Sequence, residues 1–100
     1  MTVSQAMEQA KKDGYKRVWL TNDFAFLRAD IALGEEDEWQ NSGIGPYMIR
    51  EYADVKVEKQ LANPYQKEKV LMLDVKDNEE LSKSAREKYR ADIEKRRDEK

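Results

Sequence analysis

The N-terminal segment has the spacing of apolar residues that is typical of an amphipathic helix. Four apolar side chains recur at positions i, i+3, i+4 and i+7, namely Val3, Ala6, Met7 and Ala10. Thr2 and Gln5 have the spacing of a capping box, in which each side chain bonds the backbone N–H of the other residue. Gly14 can take the left-handed conformation that ends many helices. These signals predict a helix over residues 3–13.

Two segments of alternating apolar and polar residues follow the helix. Residues 15–21 (YKRVWLT) are rich in β-formers and place Val18 and Leu20 on one face, which predicts a first strand. A turn signal at residues 22–23 precedes a second alternating segment, residues 24–33, which predicts a second strand. Because that same segment also has apolar residues at helical spacing, a short helix over residues 24–33 stays open as an alternative.

The second half of the chain predicts a β-hairpin and a long helix. Residues 55–61 alternate, residues 63–64 (Asn-Pro) interrupt the pattern, and residues 70–75 (VLMLDV) resume it, as in a hairpin with a long connection. From Asp77 onward there is no Gly or Pro, and many opposite charges stand four residues apart. With Asp77 as the cap and Glu80 at the N3 position, this stretch predicts a helix of about twenty residues, roughly 30 Å long.

The apolar residues of this last helix form a single row with a spacing of four. The row consists of Leu81, Ala85, Tyr89 and Ile93. Because a helix has 3.6 residues per turn, such a row drifts by about 40° at each step. We therefore expect the far end of the helix to leave the core and residues 94–100 to form a frayed, charged tail. The same row could join two copies of the chain in a helix–helix homodimer.

The segment between the two predicted hairpins completes the predicted fold. Residues 35–45 have no apolar period, so we expect an exposed loop, and Pro46 suits the first position of a short helical turn. The predicted order is α-β-β-turn helix-β-β-α. We expect a single α+β domain over residues 1–100, with a small antiparallel sheet that the first helix and the start of the last helix cover on one face.

The amino-acid composition excludes several kinds of chemistry but says less about the fold. Charged residues make up 40% of the chain, against about 25% in an average domain, so we expect a thin core. The absence of cysteine excludes disulfides, thiolate nucleophiles and cysteine-ligated zinc. The absence of histidine removes the side chain best suited to proton transfer at neutral pH and the commonest transition-metal ligand. We therefore expect a protein that is not an enzyme and that holds no metal or cofactor.

Charge and hydropathy bear on the partners. The 19 basic and 21 acidic side chains give a net charge of −2, which provides no global attraction to nucleic acid or to anionic lipid. No apolar run approaches the roughly 18 residues of a membrane span, and the first residues lack the features of a signal peptide. We expect a cytoplasmic protein that does not associate with membranes.

The loop after the second predicted strand carries the strongest candidate for a binding site. Its sequence places Glu35, Glu36, Asp37 and Glu38 directly before Trp39. Residues 29–49 contain five carboxylates and no Lys or Arg, so this edge of the fold should carry a negative field that a basic partner would feel. An exposed Trp beside a charged rim resembles the anchor of a protein–protein hot spot. The alternatives are a Trp that folds back over the sheet and an acidic loop that protects an edge strand.

Three functional hypotheses follow from these patterns. The leading hypothesis is a non-enzymatic accessory or inhibitor module that binds a protein through residues 35–39, together with Tyr47 and Tyr52. A sharper version is a mimic of nucleic-acid phosphates that blocks a basic nucleic-acid-binding protein. The competing hypothesis is a nucleic-acid binder that uses the C-terminal helix. Nucleic acid is the weaker partner, because residues 78–100 carry eight basic and seven acidic side chains, an excess of only 8 − 7 = +1.

One further motif has a structural explanation. Residues 43–46 (Gly-Ile-Gly-Pro) resemble part of the dinucleotide-binding fingerprint, but Met48 stands where the third glycine belongs. We interpret the motif as a turn followed by a helix start.

The layout of the first three quarters of the chain resembles a group of phage proteins. A short N-terminal amphipathic helix, the strand YKRVWL and the hairpin ADVKVEKQL…VLMLDV are similar to those of small phage and prophage proteins of Gram-positive bacteria. The resemblance covers residues 2–76 and transfers no functional residue. It implies an accessory factor or inhibitor that binds host or competitor machinery, a class that includes anti-CRISPR proteins.

Overall fold

The computed structural model describes residues 1–34, 43–63 and 69–98, which form one small α+β domain. Its elements, in chain order, are α1 (Val3–Lys12), β1 (Arg17–Asn22), β2 (Phe26–Ala32), α2 (Gly45–Glu51), β3 (Lys59–Ala62), β4 (Val70–Asp74) and α3 (Glu79–Asp98). The predicted order of helices and strands is confirmed. The short helix considered for residues 24–33 is wrong, because most of that segment forms β2.

The capping box predicted for α1 is present. Thr2 Oγ1 accepts a hydrogen bond from the Gln5 backbone N–H at 3.2 Å, and Gln5 Oε1 accepts one from the Thr2 N–H at 2.9 Å. The helix ends before Gly14, which has a φ of +81°. Its apolar stripe is buried, and the Val3 N–H donates to the Val55 carbonyl at 2.9 Å. Local sequence signals therefore determine both ends of α1.

The four strands form one mixed sheet in the order β2-β1-β4-β3. β1 pairs antiparallel with β2, and β3 pairs antiparallel with β4, but β1 and β4 run parallel at the centre. The prediction of a purely antiparallel sheet is therefore wrong. Alternation within each strand specifies the two hairpins but not how they join. The central pair brings Val18 opposite Leu71 and Leu20 opposite Leu73. All four side chains are buried, as expected for the parallel part of a sheet.

A β-bulge interrupts the alternation predicted for the second strand. The pairing of β1 with β2 shifts between Leu20 and Thr21, which leaves Arg28 as an extra residue on β2. The predicted pattern therefore holds at Ala29, which is buried, and breaks at Leu27, which is 56% exposed. Bulges commonly re-aim a side chain at the edge of a sheet in this way.

A tight turn joins β1 to β2. Asp23 and Phe24 have φ angles of 53° and 54°, and the Ala25 N–H donates to the Asn22 carbonyl at 3.0 Å. Positive φ at both central residues is the hallmark of a type I′ hairpin turn. Asp74 at the end of β4 accepts a hydrogen bond from the Phe24 N–H at 3.2 Å. The turn is thus tied to a strand from the other hairpin.

All three helices contribute to one hydrophobic core against one face of the sheet. Along α3 the predicted drift is visible, because Ala85 is fully buried whereas Ile93 is 36% exposed. The helix continues to Asp98, and its side chains from Arg90 to Arg97 are exposed. Asn78 rather than the predicted Asp77 caps the helix, since its side-chain oxygen accepts a hydrogen bond from the third residue of α3 at 3.2 Å. Among the helices described, none is long and apolar enough to cross a membrane.

Candidate functional site

The structure describes two of the seven residues predicted to form the binding site. Residues 35–39 lie outside the described residues, so their predicted exposure and role stay predictions. Tyr47 and Tyr52, by contrast, lie on α2 and at its C-terminal end, and only 7% and 0% of their surfaces are exposed. Both side chains point toward α3 and support it. A partner on the surface described here would not reach either ring directly.

The hydroxyl of Tyr52 sits in a buried polar network at the start of α3. It lies 2.9 Å from Ser82 Oγ and donates to the Asn78 carbonyl at 3.0 Å, while the Asn78 N–H donates to it at 3.2 Å. Ser82 is itself buried, although its position in a charged sequence suggests a surface hydroxyl. One phenol therefore fixes the beginning of α3 against the end of α2.

Tyr47 makes the second contact between these helices, about two to three turns further along α3. Its hydroxyl donates to Asp92 Oδ2 at 2.5 Å, and its ring meets that of Tyr89 edge-on, with 5.4 Å between the centroids. The hydrogen bond to Asp92, together with burial, raises the pKa of Tyr47 above its ordinary value of 10.0. The phenol therefore remains protonated at neutral pH, as a hydrogen-bond donor must.

Glu51 and Lys88 form the third contact between α2 and α3, an ion pair between a mostly buried carboxylate and an exposed ammonium group. The hydrogen bond from Lys88 is the main cause that lowers the pKa of Glu51 below its ordinary value of 4.5; burial offsets part of the effect, and a hydrogen bond from Ser84 adds to it. The three contacts together fix the position of α3 relative to α2.

The Glu51–Lys88 pair predicts an acid-sensitive contribution to stability. Because the pKa of Glu51 is lower in the folded state, its contribution is complete above pH 4.5 and disappears as the pH falls through the folded pKa. We expect Glu51→Gln to lower the free energy of unfolding at pH 7 and to lower it by less at about pH 3, because protonation of Glu51 weakens its contribution as the pH falls below 4.5. Urea unfolding of both proteins across this range measures the difference. An equal deficit at both pH values would contradict the assignment.

An exposed apolar surface surrounds Ile44, directly before α2. Two grooves meet at this residue: one of about 380 Å³ runs along α3, and one of about 230 Å³ lies beside β2. Tyr89 and Ile93 line the first, which we call the α3 groove, and Leu27 lines the second. We call these four residues the Ile44 surface. The neighbouring Phe26 is 64% exposed and extends the apolar region along the edge of the sheet.

Arginines dominate the charge along the α3 groove. Arg86, Arg90 and Arg97 line it together with a single acid, Glu94. Arg86 forms an ion pair with Glu79 at 2.6 Å. Within the described ranges, no hydrogen bond or ion pair involves the side chain of Arg90 or Arg97. The groove therefore combines an apolar floor with at least two cations that are available to a ligand.

The sequence predicts the part of this site that lies on α3. The drift of the apolar row on α3 predicts that Ile93 becomes exposed, and Arg90 and Arg97 stand three residues before it and four after it, on the same side of the helix. The contribution of Leu27 has no such signal, because the bulge that turns it outward depends on how β2 pairs with β1. The position of Ile44 depends on the packing of α2.

The most deeply buried acid among the described residues makes structural contacts. Asp74 is the one acid in these ranges that is buried, and it bonds the Phe24 N–H and the Thr21 hydroxyl. No group of three acidic side chains in the described part of the chain is placed to hold a metal ion.

In comparisons with known proteins, no protein-family model, no curated protein and no solved structure matches this chain.

Proposed function

We propose that this chain is a non-enzymatic, cytoplasmic module that binds another protein through the Ile44 surface and the α3 groove. The observation that supports this proposal is the composition of the surface. The exposed side chains of Leu27 and Ile93 and the half-buried side chains of Ile44 and Tyr89 line two grooves that share Ile44, and arginines border them. Aromatic residues and arginine are enriched in protein–protein interfaces, and contiguous exposed apolar patches on small domains mark interaction sites.

The buried tyrosines serve this surface indirectly. Tyr47 packs on Tyr89, which lines the α3 groove, and Tyr52 fixes the start of α3. Ile44 forms the opposite wall of the groove and leads directly into α2. The contacts between α2 and α3 therefore hold the two walls at a fixed separation, as a preformed binding surface requires.

The acidic-aromatic loop remains part of the hypothesis as a prediction. Residues 35–39 stand five to nine residues before Ile44 in the sequence. The mimicry of nucleic-acid phosphates rests on these residues alone, and no contact of the described residues supports it.

Site-specific photo-crosslinking tests the proposal. A photoreactive amino acid in place of Ile93, introduced in the cells that naturally contain the protein, should trap a discrete partner protein. The matched control is Ala91, which is also exposed on α3 but points about 160° away from Ile93. Capture from position 93 and not from 91 would support the proposal. No adduct at 93, or the same adducts at both positions, would contradict it.

A further inference from the structure

We infer that the α3 groove receives one acidic amphipathic helix from the partner, an inference that rests on the proposed function. Three features support this inference: the shape of the groove, the charge along it and the poor fit of a second copy of this chain. The side chains of α3 that line the groove are exposed, except for Tyr89, which is half-buried and packs on Tyr47.

The side chains that line the groove form two parallel ridges on α3. One ridge is Arg86, Arg90 and Glu94, and the other is Tyr89, Ile93 and Arg97, each with a spacing of four or nearly four residues. Rows of this spacing are the ridges that interlock when two helices pack. From the first to the last of these residues the helix rises by about 17 Å, the length of about three turns of a partner helix. The groove therefore has the shape and length that suit a helix.

The charge along the groove favours an acidic ligand. Arg90 and Arg97 have no ion pair in the part of the chain that the structure describes, and Arg86 shares its charge with an exposed glutamate. Glu94 is the one acid among the lining residues. A partner helix with carboxylates on both sides of an apolar stripe would pair with these arginines and would cover Tyr89 and Ile93. Arginine suits such contacts because its planar guanidinium group can bond a carboxylate with two N–H groups.

A second copy of the chain does not have this charge pattern. In an antiparallel two-fold pair of α3 helices centred on the groove, Arg86 of one copy would approach Arg97 of the other, because a two-fold axis places the same surface on both sides. Ala85, a member of the row predicted to form a homodimer, is buried against α2 and is not available to a neighbour. Repulsion between these arginines therefore disfavours the homodimer.

Nucleic acid is also a poorer match than an acidic helix. Phosphates would meet Glu94 as well as the arginines, and the apolar floor formed by Ile44 and Ile93 offers no partner to a sugar-phosphate backbone. Tyr89 has the one ring in the groove lining on which a base could stack, and that ring already packs on Tyr47.

A synthetic peptide provides a direct test with the full-length protein. The probe is a fluorescent peptide of about fifteen residues, with leucines at helical spacing and glutamates on both sides of them. Two control peptides replace the glutamates with glutamines or scramble the leucine positions. Fluorescence anisotropy should show binding of the first peptide only, and binding should weaken as the salt concentration rises from about 0.05 to 0.5 M.

Matched protein variants locate the contact. The double variant Arg90→Glu/Arg97→Glu should bind the acidic peptide about tenfold more weakly, and so should Ile93→Ser. Lys95→Glu reverses one positive charge, half the change of the double variant, at an exposed position about 140° from Arg90 and should leave affinity within about twofold. All four substituted side chains are exposed, so we expect each variant to keep its fold. Circular dichroism of each variant checks this.

Every outcome bears on the inference. The inference is supported if the glutamine peptide binds the protein more weakly than the glutamate peptide does, and if the Arg90→Glu/Arg97→Glu variant binds the glutamate peptide more weakly than the unsubstituted protein does. No binding at low salt, equal binding by the double variant, or tighter binding of an oligonucleotide of similar length would overturn it. Crosslinking at position 93 separates the two proposals: a crosslinked partner without peptide binding removes only the acidic-helix inference. Peptide binding without a crosslinked partner removes only the proposed function.

Discussion

Replacing Tyr52 with phenylalanine is expected to lower the free energy of unfolding by about 2 kcal/mol and the melting temperature by about 10 °C. The hydroxyl accepts from the Asn78 N–H, donates to the Asn78 carbonyl and lies within hydrogen-bond distance of Ser82 Oγ. Phenylalanine keeps the ring but removes the partner of the buried Ser82 hydroxyl and the acceptor of the partly buried Asn78 N–H. The loss is large because water cannot easily replace the phenol beside Ser82. Domains of this size have only about 5–15 kcal/mol of stability in total.

Tyr47→Phe provides the matched control for this prediction. It removes the same group from the same helix region, but the acceptor there is the exposed carboxylate of Asp92, which water can solvate. We expect a loss of less than about 1 kcal/mol. Urea and thermal unfolding followed by circular dichroism measure both variants. If Tyr52→Phe is no more destabilising than Tyr47→Phe, the buried network does not hold α3 as described.

The double variant Tyr52→Phe/Ser82→Ala separates a network from independent contacts. If the two hydroxyls act on each other, as their separation of 2.9 Å indicates, the double variant should lose less stability than the two single variants together. Strict additivity would show that each hydroxyl contributes through other partners.

These contacts explain why part of the fold follows from sequence and part does not. The boundaries of α1 depend on Thr2, Gln5 and Gly14, which are neighbours in sequence, and the prediction there is confirmed. The hairpin formed by β3 and β4 also follows from local alternation. The parallel pairing of β1 with β4 joins residues about fifty positions apart, and no local pattern specifies its direction.

The tyrosines show the same limit within the candidate site. Tyr47 and Tyr52 are predicted to bind a partner, but the structure buries both of them, and their hydroxyls bond residues of α3. What the sequence lacks is the identity of the groups that bond their hydroxyls. Ser82 is indistinguishable from a solvated serine until α2 and α3 are placed together. A buried phenol is therefore easily mistaken for a surface aromatic.

The turn before the bulge depends on a distant strand in the same way. Asn22 is buried, and its side-chain N–H donates to the Val75 carbonyl at 2.9 Å. Its side-chain oxygen Oδ1 accepts a hydrogen bond from Arg28, the extra residue of the bulge. The hairpin formed by β1 and β2 is thus fixed to β4 at its tip. Because Leu27 lies between the turn and the bulge, these contacts also orient one wall of the Ile44 surface.

Asp74→Ala is the second substitution from which we expect a large effect, a loss of about 2 kcal/mol in the free energy of unfolding. Asp74 accepts hydrogen bonds from the Phe24 N–H at 3.2 Å and from the Thr21 hydroxyl at 3.4 Å, and all three groups are wholly or partly buried. Asp23 and Phe24 have left-handed backbone conformations that cost about 1–2 kcal/mol for such residues. Without the carboxyl group, the Phe24 N–H loses its acceptor, and the turn loses one of the contacts that oppose its relaxation. Thermal and urea unfolding measure the loss.

Two further variants distinguish the loss of this hydrogen bond from a general defect. Asp74→Asn keeps an oxygen that can accept from the Phe24 N–H, so we expect a smaller loss than for Asp74→Ala. Asp23→Gly adopts positive φ without strain and should restore about 1 kcal/mol to the Asp74→Ala protein, since the side chain of Asp23 is exposed. Because Leu27 follows this turn, relaxation should also weaken binding at the Ile44 surface, and Asp23→Gly should recover stability and binding together. Recovery of neither would show that Asp74 acts through Thr21 rather than through the turn.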